Sequence, residues 1–391
     1  MKIAYKYRIY PNSLQKEYFA KCFGCVRFFY NKSLQDKIDH YKKTKETINP
    51  TPAQYKQEND FLKEVDSLAL ANAQLAREEA YKNFFSGRTK FPKFKSKKNK
   101  QSYTTNNQGG NVKFLDNGKY INIPKCKKIK IVKHRNFEGK IKSVTVSMTC
   151  SGKYYISLLV ETEDKKPLNS STNAVGLDLG VKAFVVDSNG KSYENPKYFK
   201  KLEERLAFEQ RKLSHMQKGS NNWNKQRIKV AKIHERINRQ RDDFLHKLST
   251  QIIRDNQVIA IESLDVKHME QNKLVAKSVV DASFSRFTTM LEYKARWYGR
   301  VLVKVGKYFA SSQICNVCGY KNEKVKNLSI RSYTCPNCGA KLKRDENAAK
   351  NILVEAIKQI KAGAQPDSLL ILESLDSLSK KPPLQSNLKI A

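Results

Sequence analysis

The chain has 391 residues, of which 75 are lysine or arginine and 37 are aspartate or glutamate, so its formal net charge is +38. This excess is spread along the sequence and predicts a polyanionic partner, with nucleic acid favoured over an anionic membrane surface. A hydrophobic fraction of 39% argues against a disordered chain. No apolar run reaches transmembrane length and no signal-peptide core follows Met1, so we expect a cytoplasmic protein with no membrane partner.

The first part of the chain is predicted to form one strand followed by helices. Residues 1–10 alternate between apolar and polar side chains, as a strand does, and Pro11 and Asn12 end the pattern. From Leu14 to Phe85 the sequence is typical of helices, with a break at the prolines of "NPTP". We therefore expect a helical segment inserted after the first strand.

A basic run follows these helices. The stretch "GRTKFPKFKSKKNK" has seven lysines or arginines and no acid between Arg88 and Lys100, and Phe91 and Phe94 lie among them. Cations for phosphate contacts beside rings for base stacking predict contact with single-stranded or structured RNA. A solvated basic loop is the alternative interpretation.

The next segment changes character. Residues 112–161 contain four short alternating segments separated by turns, which predict a small antiparallel barrel or sheet with a basic face. Residues 1–10 are able to complete it. The stretch "EDKKPLNSSTN" at 163–173 is the strongest candidate for a domain linker.

The second half of the chain is predicted to be an α/β unit. Two strands and a turn at residues 188–190 come first, then long helices over residues 197–255 with a break at "KGSNN". "QVIAIES" (257–263) is a continuous apolar run, which predicts a strand buried on both faces; a helix and the strand "VLVKVG" follow. The second long helix carries an apolar stripe made of Ile233, Ile237, Phe244, Leu248 and Ile252. We expect the tail beyond Gly363 to be poorly ordered.

Four of the eight cysteines form a metal-binding pattern. Cys315 and Cys318 are separated by 16 residues from Cys335 and Cys338, and this spacing predicts a two-stranded ribbon closed on one zinc ion. Four thiolates fill the coordination sphere, so the zinc is expected to be structural. "CFGC" at 22–25 lacks a second pair and is predicted to contain buried thiols.

Three acids stand where a metal-dependent nuclease needs them. Asp178 lies in a predicted strand as part of "GLDLG", Glu262 ends another strand, and Asp345 begins a helix. Singly, each has an ordinary explanation as a strand residue, an exposed strand end or a helix cap. Together they are the carboxylates that two-metal phosphodiester hydrolysis requires, and we expect the glycines around Asp178 to leave room for phosphate and metal.

These motifs resemble those of the TnpB family, the RNA-guided nucleases encoded by bacterial transposons and related to type V CRISPR effectors. The resemblance covers about residues 1–362 and is carried by "YKYRIYPN", "GCVRFFYNKSL", "FPKFKSKK", "QSYTTNN", "GLDLG", "IAIESL", "SSQICNVCG", "SYTCPNCG" and "RDENAAKNIL". One departure is Lys343, where the family often has an aspartate two positions before the third acid; because "NAAKNIL" fixes the register, Asp345 is kept as the ligand.

The resemblance implies a fold class and a division of the chain. The expected fold is multidomain α/β plus β-barrel, with an RNase H-like (RuvC-like) core, an inserted four-cysteine zinc ribbon and an N-terminal wedge-type oligonucleotide-binding barrel that carries an inserted helical recognition domain. The expected divisions are the barrel at 1–10 and 102–165, the recognition domain at 11–101, the nuclease domain at 166–310 and 341–362, the ribbon at 311–340 and the tail at 363–391.

The resemblance also implies the roles of residues and partners. Asp178, Glu262 and Asp345 match the catalytic triad that holds two Mg²⁺ or Mn²⁺ ions, and Arg331 matches a ribbon arginine that helps to place the scissile strand. The further nucleic-acid contacts that we expect are Lys93, Lys95, Lys97, Lys98, Thr105 and Asn106. The expected partners are a guide RNA from the transposon end and target double-stranded DNA beside a short motif, with one protein chain per RNA.

We therefore expect an RNA-guided DNA endonuclease of a transposable element. Two alternatives remain open from the sequence: a nuclease-inactive RNA-guided repressor that binds DNA, and a transposase accessory protein that binds transposon-end DNA without RNA.

Overall fold

A computed structural model describes residues 1–363 except 99, 272–275 and 328, and for residues 266–268 it describes the backbone alone. The chain forms two compact units: residues 1–164 with 218–231, and residues 165–217 with the described residues from 232 onward. The linker predicted at 163–173 thus contains the first division between the units. The predicted tail, apart from Gly363, lies outside the described residues.

Three helices of the first unit fill the predicted helical segment. They are α1 (Ser13–Thr44), α2 (Pro52–Glu58) and α3 (Ser67–Phe85). Asn12 begins α1 with a capping box, because its side chain accepts from the backbone N–H of Gln15 while the Gln15 side chain accepts from the backbone N–H of Asn12. Asp66 caps α3 by accepting from the backbone N–H of Leu68.

The first unit also contains one seven-stranded antiparallel sheet. Its strands are β1 (Lys2–Tyr10), β2 (Gln101–Asn106), β3 (Lys113–Leu115), β4 (Tyr120–Ile123), β5 (Cys126–Val132), β6 (Lys140–Met148) and β7 (Tyr154–Glu161). The strand order is β2-β6-β7-β1-β5-β4-β3, so the N-terminal strand lies inside this sheet, between β7 and β5. Within the described strands the order ends at β2 and β3 and does not close by pairing them, so this is a sheet and not a hydrogen-bonded barrel.

The second unit is built on a five-stranded mixed sheet. Its strands are β8 (Ala174–Leu179), β9 (Ala183–Asp187), β10 (Ser192–Glu194), β11 (Val258–Glu262) and β12 (Val301–Val305), in the order β10-β9-β8-β11-β12. β8, β9 and β10 form an antiparallel meander, whereas β11 runs parallel to both β8 and β12. The first four residues of β11 are buried, which confirms the prediction of a strand covered on both faces.

The remaining helices belong to this unit, except that residues 221–231, at the start of one of them, belong to the first unit. They are α4 (Tyr198–Ser214), α5 (Asn221–Asp255), α6 (Val266–Gln271), α7 (Ala276–Ala282), α8 (Phe284–Tyr298) and α9 (Arg344–Ala362). The predicted stripe of α5 faces the interior: four of its residues are buried and Phe244 is half-buried. The sequence did not indicate α6 and α7, which are short and lie between two predicted elements.

A small hairpin precedes α9. It pairs β13 (Ser332–Thr334) with β14 (Lys341–Lys343) and leads directly into the helix. Over the described part of the chain, no helix combines the length and the apolar character needed to cross a bilayer.

Candidate active site

Helix α9 lies directly against strand β8 at Gly176. A Cβ atom added at Gly176 would stand 2.0 Å from the carbonyl oxygen of Ala349 and 2.9 Å from the Cβ of Leu353. At Gly180 an added Cβ would stand 2.9 Å from the carbonyl oxygen of Ala183. The expectation that these glycines leave room for phosphate and metal is therefore wrong, since the space beside them is already filled by the protein's own backbone.

This close packing brings three acids to one end of the sheet. Asp178 is the penultimate residue of β8, and Glu262 is the last residue of β11. Leu177 pairs with Ile261 in parallel register. The residues that come directly after them, Asp178 and Glu262, are therefore neighbours at the same end of the two strands. Asp345 lies in the first turn of α9. All three line one cleft of about 1070 Å³.

The electrostatics of the cleft favour a bound cation. Burial, followed by the negative charges of Asp345 and Glu262, raises the pKa of Asp178 to about 7, against the opposing effect of Arg344 and Arg331. Burial also raises the pKa of Glu262, and Arg344 again opposes the shift. A divalent cation beside Asp178 and Glu262 would favour their charged forms and so oppose both shifts.

The three carboxylates fit Mg²⁺ or Mn²⁺ by chemistry, because hard divalent cations prefer oxygen ligands. They do not all converge on one point: among the described residues, the four ribbon cysteines are the only group of three or more candidate ligands found close enough to hold an ion. Instead, Arg331 Nη1 donates to both carboxylate oxygens of Asp345 at 3.3 Å. Arg344 Nη1 lies 4.0 Å from Asp345 Oδ1.

Arg344 is a feature of this cleft that the sequence analysis missed. Its side chain is buried, its Nη2 donates to Ser312 Oγ at 3.2 Å, and its buried Nε has no hydrogen-bond partner. The only sequence signal was a basic residue directly before the helix-start acid. The structure shows that it is a fixed positive charge beside all three carboxylates.

Two further acids of the cleft are already engaged. Asp281 accepts from the backbone N–H of Phe199 with both carboxylate oxygens, and it pairs with Arg241 at 2.9 Å. Glu203 pairs with Lys277 at 2.6 Å. Both acids are thus paired within the protein, as Asp345 is with Arg331, whereas Asp178 and Glu262 lie at the ends of neighbouring strands.

The four ribbon cysteines form a cluster that is able to hold a zinc ion. Their sulfur atoms all lie within 4.8 Å of one another, with 3.8 Å between Cys315 and Cys338 and 3.6 Å between Cys318 and Cys335. Sulfurs at the corners of a tetrahedron around zinc are about 3.8 Å apart, given the usual zinc–sulfur bond length. Gly319 and Gly339, which follow the two pairs, adopt φ of 75° and 71°. These values are in the left-handed region that favours glycine, as expected for chain that wraps a metal.

The basic run keeps three of its four candidate lysines exposed. Lys93, Lys97 and Lys98 are solvent-exposed, whereas Lys95 is half-buried and its Nζ lies 3.9 Å from the centre of the Tyr30 ring. The Lys95 backbone exchanges two hydrogen bonds with the side chain of Asn31, and burial lowers the pKa of its ammonium group. Lys95 therefore anchors the run to α1.

Thr105 requires a correction. Its side chain is buried and its hydroxyl donates to Asp66 Oδ2, so it faces the interior and cannot contact a base edge. Asn106 is half-buried on the opposite face of β2 and accepts from Asn72 Nδ2 at 3.4 Å. The alternation of the strand puts Thr104 on the same face as Asn106. Thr104 thus replaces Thr105 as the candidate for contact.

Comparison with known protein families supports what the motifs indicated. A family model described as "Probable transposase" matches residues 157–273, one described as "Cas12f1-like, TNB domain" matches residues 284–352, and one described as "Helix-turn-helix domain" matches residues 1–46. In the structure, residues 1–46 form the strand β1 and the single long helix α1.

Two curated relatives match over nearly their whole length. One, from Streptomyces pristinaespiralis, is named "Putative RNA-guided DNA endonuclease" and is 36% identical over 91% of this chain and 90% of the relative. The InsQ protein of Escherichia coli K12 has the same designation and is 30% identical over 90% of this chain and 91% of the relative.

A solved structure shows the same fold at low sequence identity. The Cas12f1 protein in a complex with its single guide RNA and target DNA matches with a TM-score of 0.55 and 15% identity, over 87% of this chain and 83% of that one. The structure and these relatives define a mixed α/β protein with a four-cysteine cluster able to bind zinc. The chain belongs to the TnpB family.

Proposed function

We propose that this protein is an RNA-guided DNA endonuclease that hydrolyses phosphodiester bonds with two divalent metal ions. The observation that carries the proposal is that three acids from three separate elements, Asp178, Glu262 and Asp345, line one cleft. Burial and the charges of the other two acids raise the pKa of Asp178. The names of the two relatives that match over about nine-tenths of their length support an endonuclease. The strand order β10-β9-β8-β11-β12 supports an RNase H-like core.

In this proposal the three carboxylates hold the ions. Mg²⁺ or Mn²⁺, when bound, activates water and stabilises the leaving oxygen of the phosphodiester. The role of this chain is to supply oxygen ligands and to keep them partly out of water, where their attraction for a cation is strong. Arg331, whose guanidinium lies beside Asp345, would contact a phosphate of the strand to be cut.

Cationic side chains around the carboxylates would bring the DNA backbone to the cleft. Five lysines line it: Lys182, Lys197, Lys200, Lys277 and Lys307. Lysine contacts to phosphate are independent of base sequence. Since such contacts carry no sequence information, we propose that the choice of target is left to base pairing with a guide.

The guide is proposed to be an RNA from the transposon end, bound by the first unit. Lys93, Lys97 and Lys98 would contact its phosphates, and the exposed rings of Phe91 and Phe94 would stack on unpaired bases. Thr104 and Asn106 are proposed to contact base edges of the short motif beside the target. The zinc ribbon (residues 311–340), with one structural zinc ion on Cys315, Cys318, Cys335 and Cys338, would help to load the target strand.

The test is Asp178→Ala in a complex that still binds RNA. We expect DNA cleavage to fall to background while the affinity for RNA stays within twofold of wild type, since Asp178 is in the second unit. Cleavage that persists in this variant would show that the metal site has been assigned to the wrong residues.

A further inference from the structure

Two asparagines of α9 are buried and belong to neither metal site. Asn347 Oδ1 accepts from the backbone N–H of Asn316 at 2.9 Å, and its Nδ2 donates to the carbonyl oxygen of Ile314 at 2.7 Å. Asn351, one turn later, donates to the carbonyl oxygens of Ser311 and Ile314 at 2.7 and 2.6 Å. Four short hydrogen bonds thus join the helix to the segment that contains the first zinc ligand, Cys315.

The other end of the zinc ribbon is joined to the same helix. Strand β14 runs directly into α9, and the backbone N–H of Arg344 donates to the carbonyl oxygen of Arg331 at 2.8 Å. Ser332 pairs with Lys343 at the base of the hairpin. Both ends of the ribbon therefore contact α9: its first segment contacts Asn347 and Asn351, and its last strand continues into Arg344. Asp345 lies between these contacts along the helix.

The sheet holds the opposite side of the helix. Asp345 is two residues before Asn347, which places it about 200° around the helix axis. That side of α9 rests on β8, where Gly176 admits the carbonyl oxygen of Ala349. The helix is thus held between the sheet and the ribbon segment, and loss of the ribbon contacts would leave the position of Asp345 relative to Asp178 and Glu262 fixed from one side alone.

We propose that Asn347 and Asn351 are positioning residues that couple the folded zinc ribbon to the carboxylate site. By fixing the ribbon segment 311–316 to α9, they set the position from which Asp345 reaches a divalent ion, so the affinity of the cleft for that ion depends on them. This inference rests on the proposed function, because it takes Asp345 to be a metal ligand.

The experiment measures Mn²⁺ binding to the full-length protein without nucleic acid, by electron paramagnetic resonance. Asn351→Ala removes two donors to the ribbon segment, and we expect about a tenfold loss of Mn²⁺ affinity while zinc content stays at one ion per chain. Asn347→Ala should give a similar loss. Gln359→Ala is the matched control on the same helix, because the exposed Gln359 amide bonds Glu355 and not the ribbon. Mn²⁺ affinity within twofold of wild type in folded, zinc-loaded asparagine variants would overturn the proposal.

Asp178→Ala separates this proposal from the proposed function. If Asp178→Ala abolishes Mn²⁺ binding and the asparagine variants leave it unchanged, the coupling is wrong and the metal site stands. If Asp178→Ala leaves Mn²⁺ binding unchanged, the metal site and the coupling are both wrong.

A second measurement does not depend on the folding of the variants. In the wild-type protein, removal of zinc should speed hydrogen exchange of the backbone amides at residues 348–352 by about tenfold or more, because the ribbon segment is released from α9. Unchanged exchange there after zinc removal would contradict the coupling.

Discussion

Arg331 of the zinc ribbon donates from one nitrogen to both carboxylate oxygens of Asp345, at 3.3 Å each. A cation from the ribbon thus stands beside the first turn of α9, next to a proposed metal ligand. A guanidinium and a divalent ion would compete for the same carboxylate, so this pair connects the residue proposed to place the scissile strand with the proposed metal site.

Loss of the Arg331 guanidinium should have opposite effects on ion binding and on cleavage. In Arg331→Gln the competitor is gone, so Mn²⁺ affinity without nucleic acid should rise severalfold. DNA cleavage should fall by at least tenfold, because a charge near the scissile phosphate is lost. Equilibrium Mn²⁺ titration and single-turnover cleavage measure the two effects. Lys321→Gln, an exposed ribbon change, is the control, and a fall in both quantities would contradict competition.

An added methyl group at Gly176 should disrupt the packing of α9 on β8. Gly176→Ala forces a Cβ against the Ala349 carbonyl, and we expect the free energy of unfolding to fall by about 1–3 kcal/mol or more. Gly24→Ala is the matched control: Gly24 lies within α1 with nothing near its added Cβ, so this change should stabilise the protein by up to about 1 kcal/mol. Denaturant unfolding followed by circular dichroism distinguishes the two, and equal stabilities would argue against the close contact.

The raised pKa of Asp178 predicts a pH dependence of stability in protein free of Mg²⁺ and Mn²⁺. Between the ordinary pKa near 3.8 and the folded value of about 7, the folded state binds more protons at this site than the unfolded state. Stability from this group is therefore full below pH 3.8 and is lost progressively as the pH rises to and through 7, by up to about 4 kcal/mol. Asp178→Asn should match the wild type near pH 4 and be more stable than it at pH 8.

That comparison requires protein freed of Mg²⁺ and Mn²⁺ with its zinc retained, and added Mg²⁺ supplies the control. Saturating Mg²⁺ should recover wild-type stability at pH 8 and leave Asp178→Asn almost unchanged. Parallel pH profiles for the two proteins without Mg²⁺ would show that the Asp178 carboxyl is not perturbed.

Zinc removal should unfold the ribbon, because the binding energy of a structural zinc site is folding energy. Cys318→Ser should lower zinc content below one ion per chain, reduce the melting temperature of the second unit and weaken binding of target DNA. Cys150→Ser changes an exposed cysteine outside the ribbon and should alter none of these. Elemental analysis and calorimetry provide the measurement; full zinc content in Cys318→Ser would contradict the four-cysteine site.

The lysines of the basic run should divide into two kinds. Lys97→Gln and Lys98→Gln should weaken RNA binding at low salt and reduce the slope of log affinity against log salt by about one each. Lys95→Gln should chiefly lower stability, because the Lys95 side chain lies on the Tyr30 ring. Filter binding over a salt series tests this, and equal slopes for all variants and the wild type would exclude phosphate contact by this run.

The central features of the second unit were accessible from sequence because they are local. The apolar run before Glu262 predicted a buried strand, and the cysteine spacing predicted that the four cysteines meet at one point; the structure has both. Contacts between distant segments were not accessible. Position 176 requires glycine because a helix that begins more than 160 residues later packs against it. The Thr105 hydroxyl faces the interior, where it donates to Asp66, 39 residues earlier in the chain.

Polar composition concealed another element. Strand β2, "QSYTTN", has one aromatic residue and no aliphatic one, so its period-two pattern gave no clear strand signal and no way to choose which threonine faces inward. The fixed charge of Arg344 was missed for a related reason, since a buried guanidinium cannot be distinguished from an exposed one by its neighbours in sequence.

The most direct test of RNA guidance is to change the guide. The purified protein is assembled with its copurifying RNA, or with the same RNA carrying a replaced guide segment, and is given plasmids that match either sequence in the presence of Mg²⁺. Our account predicts that the cut follows the guide, that the unmatched plasmid stays intact, and that EDTA or Asp178→Ala abolishes both reactions. Cleavage that ignores the guide segment, or that proceeds without RNA, would contradict it.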